Sequence, residues 1–385
     1  MKRNLGLLCV LLLALAAGCA GCNNVAGTEE KAPEGQDSLA IMTWNVQALF
    51  DGDEEGTEYD DYRESADWNR EKYRGRLNVI VKAIDGMERK PDIIALQEVE
   101  SEVVVADFAA AFSGRGYGWT HFANIPGMSL GLGLLSRFPL SEARSHSVIV
   151  DGELAPRPML EARINTAAGN DAPTASSSLA LFVCHWKSKL GGDDATESIR
   201  RASARIIVRR LREMAQTEPD LPAIIMGDLN ENYDEFYRRN GAAISALLPD
   251  DPRAAEFTGL YGLDNGEPET AAMIGALQKD YIIISKNKPP EVRYFPDGVV
   301  SLYSPWAEEL RDGSYYYKND WETIDHFLLS PQLFDGTGWE FENCETVNYP
   351  PFVSAKGLPV AYNPRTGSGL SDHLPLLLSL KMQRP

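Results

Sequence analysis

One pattern governs what this chain can fold into. From Leu39 to Leu380, short apolar runs recur, and several stop abruptly at polar side chains. The stretch 224–232, IIMGDLNEN, is the sharpest case: an apolar run meets Gly227, and Asp228 and Asn230 follow with only Leu229 between them. Short apolar runs bounded in this way read as buried strands. Strands are expected over 39–46, 93–97, 132–135, 160–164, 179–185, 223–226, 281–284, 324–329 and 376–380. Helical periods lie between them. Tyr73, Leu77, Ile80, Ile84 and Met87 recur at helical spacing, with Asp67 as N-cap and Pro91 as stop. A second helix spans 103–112. Asp194-Ala-Thr-Glu197 has a capping-box pattern and opens a third, with Ile199, Ser203, Ile206, Arg210 and Met214 along one stripe. Strands flanked by helices on both sides imply two packed sheets with helices outside. Residues 232–278 and 286–322 are long and punctuated by Gly and Pro, and read as insertions over a rim of one domain.

Seven apolar runs carry unusual polar chemistry at or beside their ends: Asn45, Gln97-Glu98, Arg157, His185 with Lys187, Asp228 with Asn230, Asp325, and Asp372-His373. Each alone has a bland reading as a cap, a turn or a packed histidine. Together they hold what metal-assisted phosphate hydrolysis needs. A phosphodiester shields its phosphorus with negative oxygens, so charge must be neutralised before a nucleophile approaches. A hard divalent cation does this, held by one or two carboxylates with water and substrate completing the shell. The attacking water must lose a proton, which a placed Asp or His accepts. Strand alternation puts Asp228 and Asn230 on one side, with Leu229 turned to the core.

Other polar residues carry less. His326 points away from Asp325 and reads as packing. His121 and His146 stand in no motif. Lys187 and Lys189 are exposed lysines or a phosphate-contact pair. Tyr315, Tyr316, Tyr317 and Trp321 either stack on bases or pack. The basic stretch Arg200–Arg212 reads as the solvated face of an outer helix, and the acidic run Asp51–Asp61 as a solvated loop.

The net charge of −19 over 385 residues argues against a broad electrostatic grip on nucleic acid, which needs many cations against phosphates. It leaves room for a local phosphate site. Met1-Lys2-Arg3, the apolar Leu5–Ala17 and small residues before Cys19 resemble a lipoprotein signal peptide over 1–19, with Cys19 lipidated and Cys22 a weaker alternative. A polar tether over 20–38 and one catalytic domain over 39–385 follow. The protein is then expected to be exported and lipid-anchored to the bacterial cell envelope. Cys184 lies in an apolar strand, and no disulfide framework is expected.

Asn45, Gln97-Glu98, Gly227-Asp228-Leu229-Asn230, Ile324-Asp325-His326 and Ser371-Asp372-His373, in this order, resemble the endonuclease/exonuclease/phosphatase superfamily over most of the chain. HWKSK and GSYYYKNDWETIDHFLLS are similar to exported bacterial members described as nuclease-like. The resemblance implies an α+β fold, a four-layer αββα sandwich with its active site at one end of two sheets. It implies Glu98 as metal ligand, with Asn45 and Asp372 assisting, and Mg²⁺ or Mn²⁺ as the metal. Asp228 would orient or deprotonate water, Asn230 would hold Asp228 or phosphate, and Asp325 would fix His373. His185 and Arg157 would face the phosphate. A nuclease acting on DNA or RNA is the leading expectation. A phospholipid, inositol or sugar phosphate esterase with the same site is the alternative, and a non-enzymatic surface protein is the third reading.

Overall fold

The first strand shows why this sequence builds layers. In β1 (Ser38–Leu49), Ala40, Met42, Trp44 and Val46 bury one face while Leu39 and Ile41 bury the other. A strand apolar on both faces belongs inside a sheet covered on both sides. The computed structural model describes residues 37–383 except 113, 168–173, 175–176, 242–243, 258–280, 290–300, 309 and the side chains of 255–257. The expected signal peptide and nearly all of the tether lie outside the described residues.

After β1 come α1 (Arg70–Asp85), β2 (Ile93–Val99), α2 (Glu102–Ala111), β3 (Trp119–Ala123), β4 (Gly131–Ser136) and β5 (Leu140–His146). A small hairpin, β6 (Ile149–Val150) and β7 (Glu153–Leu154), precedes β8 (Met159–Asn165), β9 (Ser178–His185), α3 (Asp193–Thr217) and β10 (Ala223–Asp228). Next are α4 (Glu235–Arg238), β11 (Leu247–Pro249), α5 (Pro252–Phe257), β12 (Ile282–Ser285) and β13 (Ser301–Tyr303). The hairpin β14 (Tyr315–Tyr317) and β15 (Asp320–Glu322), then β16 (Asp325–Leu329), β17 (Gly338–Thr346) and β18 (Leu376–Gln383) complete the order.

Six strands form one sheet in the order β17-β18-β1-β2-β4-β3, and eight form the other, β11-β12-β13-β16-β10-β9-β8-β5. Three cores separate four layers. Tyr73, Leu77, Ile80 and Ile84 of α1 and Phe108 of α2 pack on the outer face of the first sheet. Ile41, Ile93, Leu134, Leu181, Val183, Ile224, Met226, Phe327 and Leu378 fill the space between the sheets. Ala204, Ile207 and Leu211 of α3 cover Phe182, Cys184 and Ile225 on the far side. Each fully buried side chain of this size contributes about 1.5–3 kcal/mol. This is the expected αββα sandwich. Among the described residues no helix is long and apolar enough to cross a membrane. Cys184 and Cys344 are buried, and neither is in a disulfide among the described residues.

Four local expectations need correction. The N-cap of α1 is Asn69, whose Oδ1 accepts from Glu71 and Lys72 N–H at 3.0 and 3.1 Å. Asp67 instead lies in the left-handed region, at φ 62°, and pairs with Lys72. The capping box of α3 does not form: Gly192 occupies the cap position, and Glu197 turns to Arg200 at 2.6 Å and Arg239 at 3.3 Å. A buried guanidinium is a stronger partner than a helix-end N–H. The basic stretch is not simply a solvated face, because Arg200 is 0% exposed and Arg210 clasps Glu161 with two contacts of 2.8 Å. His146 also joins Glu161, at 2.7 Å. Finally, the two rim segments contribute β11 and β13 to the second sheet, while 258–278 and 290–300 lie outside the described residues.

Candidate active site

Three adjacent strands of the second sheet carry one chemical row. In parallel β9 and β10, His185 stands opposite Asp228; in antiparallel β10 and β16, Asp228 stands opposite Asp325. Opposed residues share a sheet face, so the three project together toward the first sheet. Gly227 allows the row to form. It sits at φ +128°, and a Cβ there would lie 2.0 Å from the Cys184 carbonyl oxygen. Only glycine tolerates both conditions.

The first sheet answers with Asn45 and Glu98. Between the Asn45–Gln97 and Leu49–Val99 pairs, β1 uses three residues where β2 uses only Glu98. Gln47, Ala48 and Glu98 take φ of 56°, 57° and 65°. Such left-handed non-glycine residues cost about 1–3 kcal/mol each and concentrate at functional sites. Bulges of this kind re-aim side chains. Glu98 Oε2 accepts from the Ala48 N–H at 2.8 Å, and Oε1 accepts from Asn45 Nδ2 at 3.4 Å. The same Asn45 amide donates to Asp228 Oδ2 at 3.1 Å, so one side chain bridges the two sheets.

His373, just ahead of β18, closes the cluster. Its Nδ1 donates to Asp325 Oδ2 at 2.8 Å, and its Nε2 lies 4.0 Å from Asp228 Oδ2. Ser314 Oγ donates to the same Asp325 oxygen at 2.6 Å. The Tyr315 ring stacks on the imidazole with centroids 4.6 Å apart. Ser371 Oγ donates to the Asn45 carbonyl at 2.7 Å, and Trp44 Nε1 donates to the His373 carbonyl at 3.0 Å. These bonds lock the Ser371–His373 turn to β1.

On the other side, His185 Nε2 lies 3.6 Å from Asp228 Oδ2 and 3.8 Å from Glu98 Oε1. Arg157 donates to His185 Nδ1. That bond leaves the single proton of a neutral imidazole on Nε2, facing both carboxylates. Asp372 joins through its backbone, its N–H donating to Gln47 Oε1 at 3.0 Å.

Asn230 departs from the expectation drawn from strand alternation. The strand ends at Asp228 and Asn230 turns left-handed, at φ 50°. Its backbone N–H donates to Asp228 Oδ1 at 2.9 Å, while its side chain donates to the Trp186 carbonyl at 3.2 Å. Asn230 therefore holds Asp228 with its main chain. Lys189 is paired with Glu235 at 2.5 Å, and Lys187 donates to the Ser188 and Leu190 carbonyls. His326 is buried as expected and lies against the Glu231 carbonyl at 2.8 Å. Burial pushes its pKa down to about 4.

The electrostatics separate the two histidines. Burial, with Arg157, His373 and Lys187 nearby, holds His185 well below the usual histidine range. Burial also disfavours a charged His373, but Asp325, Asp372 and Asp228 outweigh it and hold the imidazole well above that range. Burial and the neighbouring Asp325 push Asp228 up to about 7, against the pull of His373 and of hydrogen bonds from Asn230 and Asn45. Asp228 and His373 each favour the charged form of the other.

Asp228, Asp325 and His373 offer ligand atoms that all lie within 4.8 Å of one another, and this buried group can hold a divalent metal. It is the one compact donor trio among the described residues, and neither Glu98 nor Asp372 belongs to it. Sequence reasoning did not single out Ser314, Gln47, Ala48 or Arg76, which act here through backbone contacts or from distant segments.

The two sheets bring carboxylates, imidazoles and a guanidinium to one shared end. The family model described as Endonuclease/Exonuclease/phosphatase family matches residues 42–373, and the chain belongs to that family, whose members are hydrolases acting on phosphoester bonds and typically use divalent metals. No curated protein matches it by sequence. Among solved structures it is similar to ANGEL2, a 2',3'-cyclic phosphatase, with 14% identity over 90% of this chain and 96% of that one and a TM-score of 0.52. It is also similar to the human Nocturnin catalytic domain with bound sulfate, at 14% identity over 90% and 93% and a TM-score of 0.49. A family protein from Bacteroides thetaiotaomicron aligns at 15% identity over 90% and 98%, with a TM-score of 0.48.

Proposed function

We propose that this protein is a divalent-metal-dependent phosphodiesterase, and that it acts as an extracytoplasmic nuclease. The observation that carries this reading is the convergence on Asn45, whose single amide touches both Glu98 and Asp228, with His185 Nε2 facing the same two carboxylates. The donor set suits a hard cation. Glu98 and Asp372 would supply carboxylate oxygens, as Mg²⁺ or Mn²⁺ prefers, while Asn45 Nδ2 faces the carboxylates and its Oδ1 accepts from the Gln47 N–H at 3.0 Å. Asp325 Oδ1 is buried without a hydrogen-bond partner.

In this reading Glu98 would hold the metal, with Asn45 and Asp372 assisting directly or through water. The metal, when bound, neutralises phosphate charge and favours ionised water. Asp228 accepts the proton of the attacking water, its carboxylate fixed by the Asn230 N–H and the Asn45 amide. Asp325 keeps His373 protonated and aimed, so that Nε2–H faces a phosphoryl oxygen. His185 donates from Nε2, and Arg157 orients it while adding positive charge on the phosphate side. Such preorganised donors act where charge develops in the transition state. The N-terminal lipoprotein-like segment supports export and anchoring at Cys19.

A substrate panel tests the reading. With Mg²⁺ or Mn²⁺ the protein should cleave plasmid DNA or RNA, and EDTA should abolish cleavage. Turnover of sphingomyelin, inositol phosphates or sugar phosphates alone would keep the chemistry and replace the substrate, a result the charge of −19 makes worth including. Cleavage unaffected by EDTA would reject metal dependence.

A further inference from the structure

Arg76 lies on α1, outside every strand-end motif, and is 3% exposed. Its helix is already held by Tyr73, Leu77, Ile80 and Ile84, so packing alone does not call for a buried guanidinium. Burying an arginine is costly unless its donors are matched. Three backbone carbonyls and the Tyr62 hydroxyl match its two Nη groups, while Nε is buried without a partner. Nη2 donates to Val46 and Gln47 oxygens at 2.6 and 2.5 Å, and Nη1 donates to the Ala48 oxygen at 2.7 Å. The guanidinium carbon also lies 3.8 Å from the Tyr362 ring centroid, a cation–π contact.

These are the carbonyls of the β1 bulge, where Gln47 and Ala48 are left-handed and pairing with β2 is interrupted. Buried carbonyls must find donors, and the turn that frees them from the sheet presents all three to one fork. The other side of the same three-residue bulge faces the candidate site. The Ala48 N–H binds Glu98 Oε2, and Gln47 Oε1 accepts from the Asp372 N–H at 3.0 Å and the Tyr362 N–H at 2.7 Å. Gln47 Nε2 returns a bond to the Tyr362 carbonyl at 3.2 Å. Arg76 thus grips from behind the backbone that aims Glu98 and seats Asp372.

We propose that Arg76 is a positioning residue for the metal-binding carboxylates. Its guanidinium holds the 46–48 bulge in the one conformation that sets the Ala48 N–H on Glu98 and the Gln47 amide on Asp372. This rests on the metal-site reading given above. A lysine here keeps the charge but cannot serve three carbonyls with a planar fork.

The test is Mn²⁺ titration of the purified protein, following the free-ion electron paramagnetic resonance signal, for the wild type, Arg76→Lys, Arg76→Met, Tyr362→Leu and Glu161→Gln. Folding of each is checked by circular dichroism at the titration temperature. Loss of a group that orients a metal ligand typically weakens metal binding about 10–100-fold. That loss is expected for both Arg76 variants, with a smaller loss in the same direction for Tyr362→Leu, which removes the ring under the guanidinium. Glu161→Gln breaks a buried ion pair far from the bulge and should bind Mn²⁺ like the wild type. Wild-type affinity in a folded Arg76 variant overturns the positioning role. Should neither Arg76 variant fold, wild-type affinity in Tyr362→Leu does the same. A wild type that binds no Mn²⁺ overturns the metal-site reading itself, and the role of Arg76 with it.

Discussion

On the proposed reading, replacing Asp228 with Asn is expected to lower phosphodiester hydrolysis by about 10³–10⁴-fold, the upper range for removing a placed proton acceptor. The substitution keeps size and shape but removes the basic carboxylate. It also leaves one carbonyl oxygen to serve two donors, the Asn230 N–H at 2.9 Å and the Asn45 amide at 3.1 Å. The carbonyl can face only one of them, and an Asn230 N–H left without it costs about 1–3 kcal/mol. The loss of rate should therefore exceed anything a small drop in melting temperature explains. Steady-state kinetics should show the loss in kcat with KM little changed, because the proton is accepted only as the transition state forms. A variant retaining a tenth or more of wild-type kcat would remove Asp228 from the chemistry.

The largest stability effect is expected away from the reacting centre. Arg200→Met should destabilise the fold by about 3–5 kcal/mol, the usual result of removing one partner of a buried ion pair. Arg200 donates to Glu231 at 2.6 Å, Glu197 at 2.6 Å and Asp193 at 2.7 Å. Glu231 is 0% exposed and Glu197 6%, so neither can be solvated in place when the guanidinium is gone. Urea unfolding monitored by circular dichroism measures the difference. The triple variant Arg200→Met, Glu197→Gln, Glu231→Gln should recover part of the loss, because it removes the stranded charges as well. A loss below about 1 kcal/mol for Arg200→Met would put this cluster among ordinary surface pairs.

The inner strands were legible in the sequence to within a few residues, because a strand buried on both faces must be continuously apolar. The run 179–185 became Ser178–His185, and 223–226 became Ala223–Asp228. The longer strands not foreseen, β3, β5 and β17, all lie at sheet edges. In β5, LSEARSH exposes most of its side chains, and GWEFENCET of β17 mixes buried Trp339 and Cys344 with exposed Glu342 and Asn343. Edge strands keep polar residues to discourage pairing with other chains, and the same polarity hides them from an apolar-run reading.

The candidate site was legible where strand register carries it. His185, Asp228 and Asp325 end neighbouring runs, and pairing sets them in a row. It was not legible where the chain leaves regular geometry. Nothing in QAL or QEV announces the left-handed turns at Gln47, Ala48 and Glu98, which depend on distant partners such as Arg76 and Tyr362. Arg76 reads in the sequence as one more arginine on an amphipathic helix, and Arg200 as one more on a basic face. Both are buried because carbonyls or carboxylates remote in sequence converge on them.

Whether side chains from Asn45 to His373 serve one divalent ion is tested most directly by anomalous diffraction from crystals soaked in Mn²⁺. The expected result is a peak about 2.0–2.3 Å from the Glu98 carboxylate, close to the range for a hard divalent cation on oxygen, and its disappearance in Glu98→Gln. A peak seated among Asp228, Asp325 and His373 without Glu98, or no peak in the cleft at all, would contradict it.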